Sequence, residues 1–186
     1  MTEAGPLLRT EALTKSFSGF VAVQSVSLDI RAGTIHALIG PNGAGKTTFF
    51  NLLTRFLPAT SGRIFYKGQD ITDTRPHDIA RLGIVRSFQI SAVFAHLTVL
   101  ENVRIALQRF RSDNFAFWKS DVTLNEMNDK ARKLLADVGL EGQTGTIAAD
   151  LSYGRKRALE LATTLALEPE LLLLDEPTSG MAHEDI

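Results

Sequence analysis

Residues 40–47 read Gly40-Pro41-Asn42-Gly43-Ala44-Gly45-Lys46-Thr47, a complete G-x-x-x-x-G-K-[ST] phosphate loop. An apolar run, Thr34-Ile35-His36-Ala37-Leu38-Ile39, leads into it, and helix-forming residues follow. Few patterns constrain a fold more, because the loop needs a strand to launch it and a helix to receive it. The glycines clear space for a backbone that must curl around an anion in conformations closed to other residues. Successive N–H groups and the positive end of the following helix then face the phosphates. Lys46 is long enough to reach the β- and γ-phosphates of a nucleoside triphosphate, the Thr47 hydroxyl suits a Mg²⁺ position, and Thr48 can bond a neighbouring phosphate.

Composition narrows the setting. The 186 residues are 44% hydrophobic and 22% charged, as a globular chain with a sizeable core should be. A formal net charge of −1 argues against bulk electrostatic binding of nucleic acid. The absence of cysteine rules out disulfides and thiolate chemistry and fits a reducing compartment. The N-terminal residues lack a basic region followed by an apolar run, and no stretch approaches the roughly 18 apolar residues of a spanning helix, so any membrane role is by docking.

Along the chain, Leu7 to Leu13, Phe20 to Ile30, Thr34 to Ile39 and Gly62 to Gly68 read as strands. The Thr34 run suits a central parallel strand, and its neighbours suit a small antiparallel lobe. Residues 46 to 57 read as a helix ending before Pro58. Thr98 and Glu101 form a capping box ahead of Leu100, Val103, Ala106, Leu107 and Phe110. A second helix aligns Leu124, Met127, Ala131, Leu134, Leu135 and Val138 and stops at Gly139. Between them Phe115, Phe117 and Trp118 read either as an exposed docking patch or, as the favoured expectation, as ordinary packing within a helical subdomain. His36, His77 and His96 show no metal-ligand spacing.

Leu171 to Leu174 is a continuous apolar run closed by Asp175-Glu176-Pro177, suited to a strand buried on both faces with its polar end at a ligand-binding edge. Asp175 is positioned to support Mg²⁺ through its hydration shell, and Glu176 to orient or deprotonate the water attacking a γ-phosphate. Upstream, Ser152 can cap the helix that begins after Leu151, and Gly154 permits close approach of a backbone N–H to a ligand.

The order of these segments resembles the nucleotide-binding subunit of an ATP-binding cassette (ABC) transporter over essentially the whole chain. Gly40 to Thr47 matches its phosphate loop, Arg86-Ser87-Phe88-Gln89 its glutamine loop, Leu151-Ser152-Tyr153-Gly154-Arg155 its signature, and Leu171 to Glu176 its acidic strand. Ser179-Gly180-Met181-Ala182 resembles the dimer-contacting loop, and Phe17 falls where the family stacks an aromatic ring on adenine. The resemblance implies an α/β P-loop NTPase fold with a mostly parallel central sheet, a small antiparallel β lobe and an inserted helical subdomain. Residues of about 1–88 and 156–186 would form the core of one nucleotide-binding domain and about 89–155 the helical part. It implies ATP and Mg²⁺ as ligands, with Thr47, Gln89 and Asp175 around the metal and Lys46, Gln89 and Glu176 in catalysis. A second ATP-binding subunit would present Ser152, Tyr153 and Gly154 to the nucleotide held here. Transmembrane permease subunits, and indirectly a periplasmic or extracellular solute-binding protein, would be the other partners, at the cytoplasmic face of a bacterial inner membrane.

Leu57-Pro58-Ala59-Thr60-Ser61-Gly62, Leu97 to Val103 and the Leu-Ser-Tyr-Gly signature are similar to those of branched-chain amino-acid importers, with urea or amide importers as close relatives. Tyr153 and Arg155 replace the commonest Gly and Gln of the signature. Eleven residues follow Asp175, where the family continues to a strand and a switch histidine, and His183 lies too close to the acidic strand for that role. The resemblance therefore predicts a chain incomplete at its C-terminus, with reduced turnover. A soluble cassette ATPase, a small P-loop kinase or GTPase, and a noncatalytic nucleotide-binding module are the alternative readings.

Overall fold

The computed structural model describes residues 5–87, 93–108 and 121–175, with the backbone alone for 121–125. Gln89, Phe115, Phe117, Trp118, Glu176, the 179–182 segment and His183 lie outside the described residues. The chain forms two compact units, Met1–Ile84 and Val85–Ile186.

In the first unit, β1 (Leu8–Phe17) and β2 (Phe20–Ile30) form an antiparallel hairpin. Its connection, Ser18-Gly19, has φ of 45° and 93°, the doubly positive geometry that matches the twist of the flanking strands. β3 (Ser61–Tyr66) pairs with the other edge of β1, and the two-residue β4 (Gln69–Asp70) pairs with β3, giving the order β2-β1-β3-β4. Leu8, Leu13 and Ile64 are completely buried, and the register shift between Thr10 and Leu13, where Ala12 takes a φ of 46°, lets Leu8 and Leu13 share the inward face despite their odd spacing. Pairing steps from Ser16↔Val21 to Lys15↔Val23, which leaves Ala22 as an extra, bulged residue on β2.

α1 (Lys46–Leu53) buries Phe49, Leu52 and Leu53. It stops four residues short of the expected end at residue 57. The Thr54 hydroxyl donates back to the Phe50 carbonyl at 2.8 Å, and Arg55 takes a left-handed φ of 61°, which an α-helix cannot propagate. The expectation of a strand at Thr34–Ile39 is corrected more deeply. These residues join no sheet among the described residues, and Ile35 and Ile39 are 101% and 90% exposed. Without ladder partners or a covering layer, an apolar run has nothing to make it a strand. A short helix, α2 (Pro76–Arg81), was not expected; Pro76 at its start presets φ, and Ile79 is its only buried residue.

In the second unit, β5 (Ile84–Ser87), which begins at the boundary, and β6 (Leu171–Leu174) form a two-stranded sheet. α3 (Val99–Leu107), α4 (Asp121–Asp137) and α5 (Tyr153–Leu165) share one apolar cluster that includes Val99, Val103, Ala131, Leu135, Leu159 and Ala162. The early part of the 156–186 segment, grouped above with the core, thus packs with the helical elements because α5 turns its apolar stripe toward α3 and α4. β6 was expected to be buried on both faces; Leu171 and Leu173 are buried, whereas Leu174 is 36% exposed.

The capping box at α3 forms as expected. Glu101 N–H donates to Thr98 Oγ1 at 3.2 Å, and Thr98 N–H donates to the Glu101 carboxylate at 2.8 Å. That backbone donor, joined by the Thr98 hydroxyl, holds the Glu101 carboxyl below its ordinary pKa. Its contribution to the helix is therefore present above the usual glutamate range and fades as pH falls through the depressed value. A single antiparallel bridge joins Thr98 to Ile147, flanked by Ala148 N–H to Leu97 O at 2.9 Å and Val99 N–H to Thr146 O at 2.9 Å. Gly139, with φ of 73°, closes α4 as its position past the last periodic residue predicts.

Candidate functional site

Gly40 to Thr48 fold as a loop that turns directly into α1. Ala44 N–H donates to the Pro41 carbonyl at 3.2 Å, and Phe49 N–H closes the first helical turn on Gly45 O at 2.8 Å. Gly45 is the N-cap, at φ 84°, and supplies no side chain to satisfy the leading amides of α1. A Cβ there would lie 2.2 Å from the Ala22 carbonyl oxygen, so the bulge on β2 presses against the loop where only glycine fits. Lys46 Nζ donates to the Gly40 and Pro41 carbonyls at 2.6 and 2.9 Å, which places its ammonium at the loop. Pro41, Asn42, Gly43, Ala44 and Thr47 are exposed, and Thr48 is half-buried. Uncapped amides, a cation at the loop and a hydroxyl on the first helical turn fit a triphosphate.

In the same unit, Phe17 ends β1 with its ring 42% exposed. Lys15 Nζ sits 5.0 Å from its centroid and also donates to the Pro58 carbonyl at 2.7 Å.

The second unit holds the signature residues and the first of the paired acids. Ser152 caps α5, accepting from Arg155 N–H at 3.4 Å. Ser152 and Tyr153 are exposed and Gly154 is buried in the first turn. Arg157 Nη2 donates to the Tyr153 hydroxyl at 3.0 Å while Nη1 engages Glu160 at 2.7 Å. The Glu160 carboxylate is the main cause of a raised Arg157 pKa. Asp175 follows β6 directly and is almost fully buried, its Oδ2 2.6 Å from Arg86 Nη2 on β5. Arg86 lies in the segment expected to be the glutamine loop, but no spacing in the chain signals this pairing across 89 residues. Ala22 and Arg157 were likewise not anticipated, because a carbonyl contact and an i, i+4 anchor leave no motif.

No cluster of three or more His, Cys, Asp or Glu residues that could hold a metal occurs among the described residues. His36, His77 and His96 are exposed. His36 contacts Thr34 at 3.0 Å and His77 contacts Asp78 at 3.0 Å. Among the described residues no helix is long and apolar enough to cross a membrane.

The ABC transporter family model matches residues 23–179. A probable branched-chain amino acid transport ATP-binding protein, LivG of Archaeoglobus fulgidus, is 38% identical over 94% of this chain and 69% of its own length. The high-affinity LivG of Salmonella typhimurium is 39% identical over 95% of this chain and 71% of its own length. Among solved structures, a nucleotide-free ATP-binding cassette from an ABC transporter superposes with a TM-score of 0.76 at 33% identity, covering 96% of this chain and 72% of that one. The ADP conformation of the cassette MJ1267 gives a TM-score of 0.77 at 31% identity over the same shares. The fold is therefore the α/β P-loop NTPase cassette with its antiparallel lobe, as the sequence led us to expect.

Proposed function

This chain belongs to the ABC transporter family of ATP-binding subunits, and on that premise we propose that it binds and hydrolyses ATP to drive import of branched-chain amino acids. The observation that carries the reading is the likeness, across 94–95% of the chain, to ATP-binding proteins of branched-chain amino acid transport. Gly40 to Thr48 hold the phosphates, with Lys46 exchanging its two carbonyl partners for phosphate oxygens, a charge-assisted contact stronger than the one it leaves. Phe17 stacks on the base. Thr47, Gln89 and Asp175 are the residues that would hold Mg²⁺, which when bound neutralises charge on the β- and γ-phosphates. Glu176 takes the proton of the attacking water, and Gln89 positions that water.

Ser152, Tyr153 and Gly154 present the N-terminus of α5 to the nucleotide of a second ATP-binding subunit, whose γ-phosphate gains from the helix dipole. The pair works beneath transmembrane permease subunits on the cytoplasmic face of a bacterial inner membrane. A solute-binding protein outside the membrane delivers the amino acid.

Two variants test the chemistry. Lys46→Ala should weaken ATP binding by about 30-fold, the loss of one charge-assisted contact, in a calorimetric titration. Glu176→Gln should bind ATP as the wild type does and hydrolyse it about 100-fold more slowly. Unchanged steady-state turnover in the second variant would remove Glu176 from the role of base. For the transported solute, cells lacking this chain should lose uptake of radiolabelled leucine and recover it with the wild-type gene but not with Lys46→Ala; undiminished uptake would refute the substrate class.

A further inference from the structure

The tip of the β1–β2 hairpin carries two phenylalanine rings rather than one. Phe17 and Phe20 face each other directly across the ladder, immediately flanking the Ser18-Gly19 turn. Directly opposed residues project from the same face of a two-stranded ribbon, so both rings emerge together. Phe17 is 42% exposed and Phe20 68% exposed, so both present apolar surface to solvent. Lys15, two residues before Phe17 and so on its face, is tied to the Pro58 carbonyl and lies over the Phe17 ring. Two residues beyond Phe20, the bulged Ala22 carbonyl meets the phosphate loop at Gly45. At about 3.3 Å per strand residue, Phe20 stands roughly 7 Å along β2 from that contact. On the ATP reading above, which stacks the base on Phe17, the ribose and base of a nucleotide held by the loop run along this stretch of hairpin.

We propose that Phe20 is a second aromatic contact for the base of the bound nucleotide, beside Phe17, and that Lys15 positions the Phe17 ring. This rests on the ATP reading above and extends it to a residue that no motif marks. A flat heteroaromatic base offers a π-face to either ring, and a pre-positioned ring loses little freedom on contact. The bulge at Ala22 sets the spacing, since it fixes how far the hairpin tip stands from the loop.

The test compares ATP with inorganic tripolyphosphate, which has the phosphates but neither ribose nor base, by calorimetric titration of the wild type, Phe20→Ala and Phe20→Trp. Phe20→Ala is expected to bind ATP about tenfold more weakly, equivalent to about 1.4 kcal/mol, with its tripolyphosphate affinity unchanged. Phe20→Trp, which keeps a ring, should bind ATP at least as tightly as the wild type. Wild-type ATP affinity in Phe20→Ala would overturn the proposal, as would an equal weakening for both ligands, which would mark a structural role. A wild type that binds tripolyphosphate as tightly as ATP would also overturn it, while leaving the phosphate loop intact. A wild type that binds neither ligand would instead overturn the ATP reading, and this inference with it.

Discussion

Replacing Arg86 with Met should destabilise the protein by about 4 kcal/mol, the cost of leaving a buried carboxylate without its counter-ion. Arg86 and Asp175 are 7% and 3% exposed at their side chains and 2.6 Å apart, so solvent screens the pair little. The attraction between the two is not what the variant chiefly loses. Removing the guanidinium strands a charge that water can no longer reach, and that desolvation sets the magnitude. The double variant Arg86→Met with Asp175→Leu should therefore regain most of the loss, because it removes both charges. Urea denaturation followed by circular dichroism on the single and double variants measures this directly. A single variant within 1 kcal/mol of wild type would mean that the pair behaves as an exposed one. The same contact has a mechanistic side: the carboxylate proposed to serve Mg²⁺ is already held by a cation on β5, three residues before Gln89 in the chain.

Gly45→Ala is the second large effect, expected at about 3 kcal/mol together with loss of measurable ATP binding. Two costs combine. Alanine at φ 84° is forced into the left-handed region, worth about 1–2 kcal/mol. Its Cβ would also sit 2.2 Å from the Ala22 carbonyl oxygen, and neither backbone can yield without moving β2 or the loop, an overpacking cost of about 1–3 kcal/mol. Gly43→Ala is the matched control, since φ is 83° but nothing lies within 4 Å of the added carbon. It should show the conformational cost alone, about 1 kcal/mol, with folding preserved. Equal midpoints for the two variants in thermal melts would show that the Ala22 contact carries no weight.

How far the sequence foretold this structure depended on whether a signal was local. The antiparallel lobe was legible because alternation, turn residues and the 20–30 strand all lie within short windows. The capping box at Thr98, the stop at Gly139 and the Ser152 cap were legible for the same reason. The phosphate loop announced itself through three glycines and a lysine at fixed spacing. The Thr34–Ile39 run was misread because an apolar segment becomes a strand only when another strand lies beside it, and no such neighbour is written in the run itself. α1 ended early through a side-chain bond from Thr54 and a left-handed Arg55, both invisible to periodicity. α2 escaped notice because six residues with one buried side chain carry no period. Arg86 and Asp175 are too far apart in the chain for any spacing rule to join them. Of the proposed site residues, the loop was readable from its own letters, whereas the contacts around it were set by backbone approach.

The bridge between Thr98 and Ile147 makes the chain leave and return at one doorway. Everything from α3 through α4 is an excursion whose two ends are stapled by the bonds at Leu97, Val99, Thr146 and Ala148. Lengthening a closed excursion costs only slowly with its length, about 0.6 kcal/mol per doubling. The 109–120 stretch within it could therefore be swapped for another of different size while the start of α5, a few residues past the staple, kept its place. A change in the contents of that excursion would then leave undisturbed the first turn of α5, where Ser152 caps the helix.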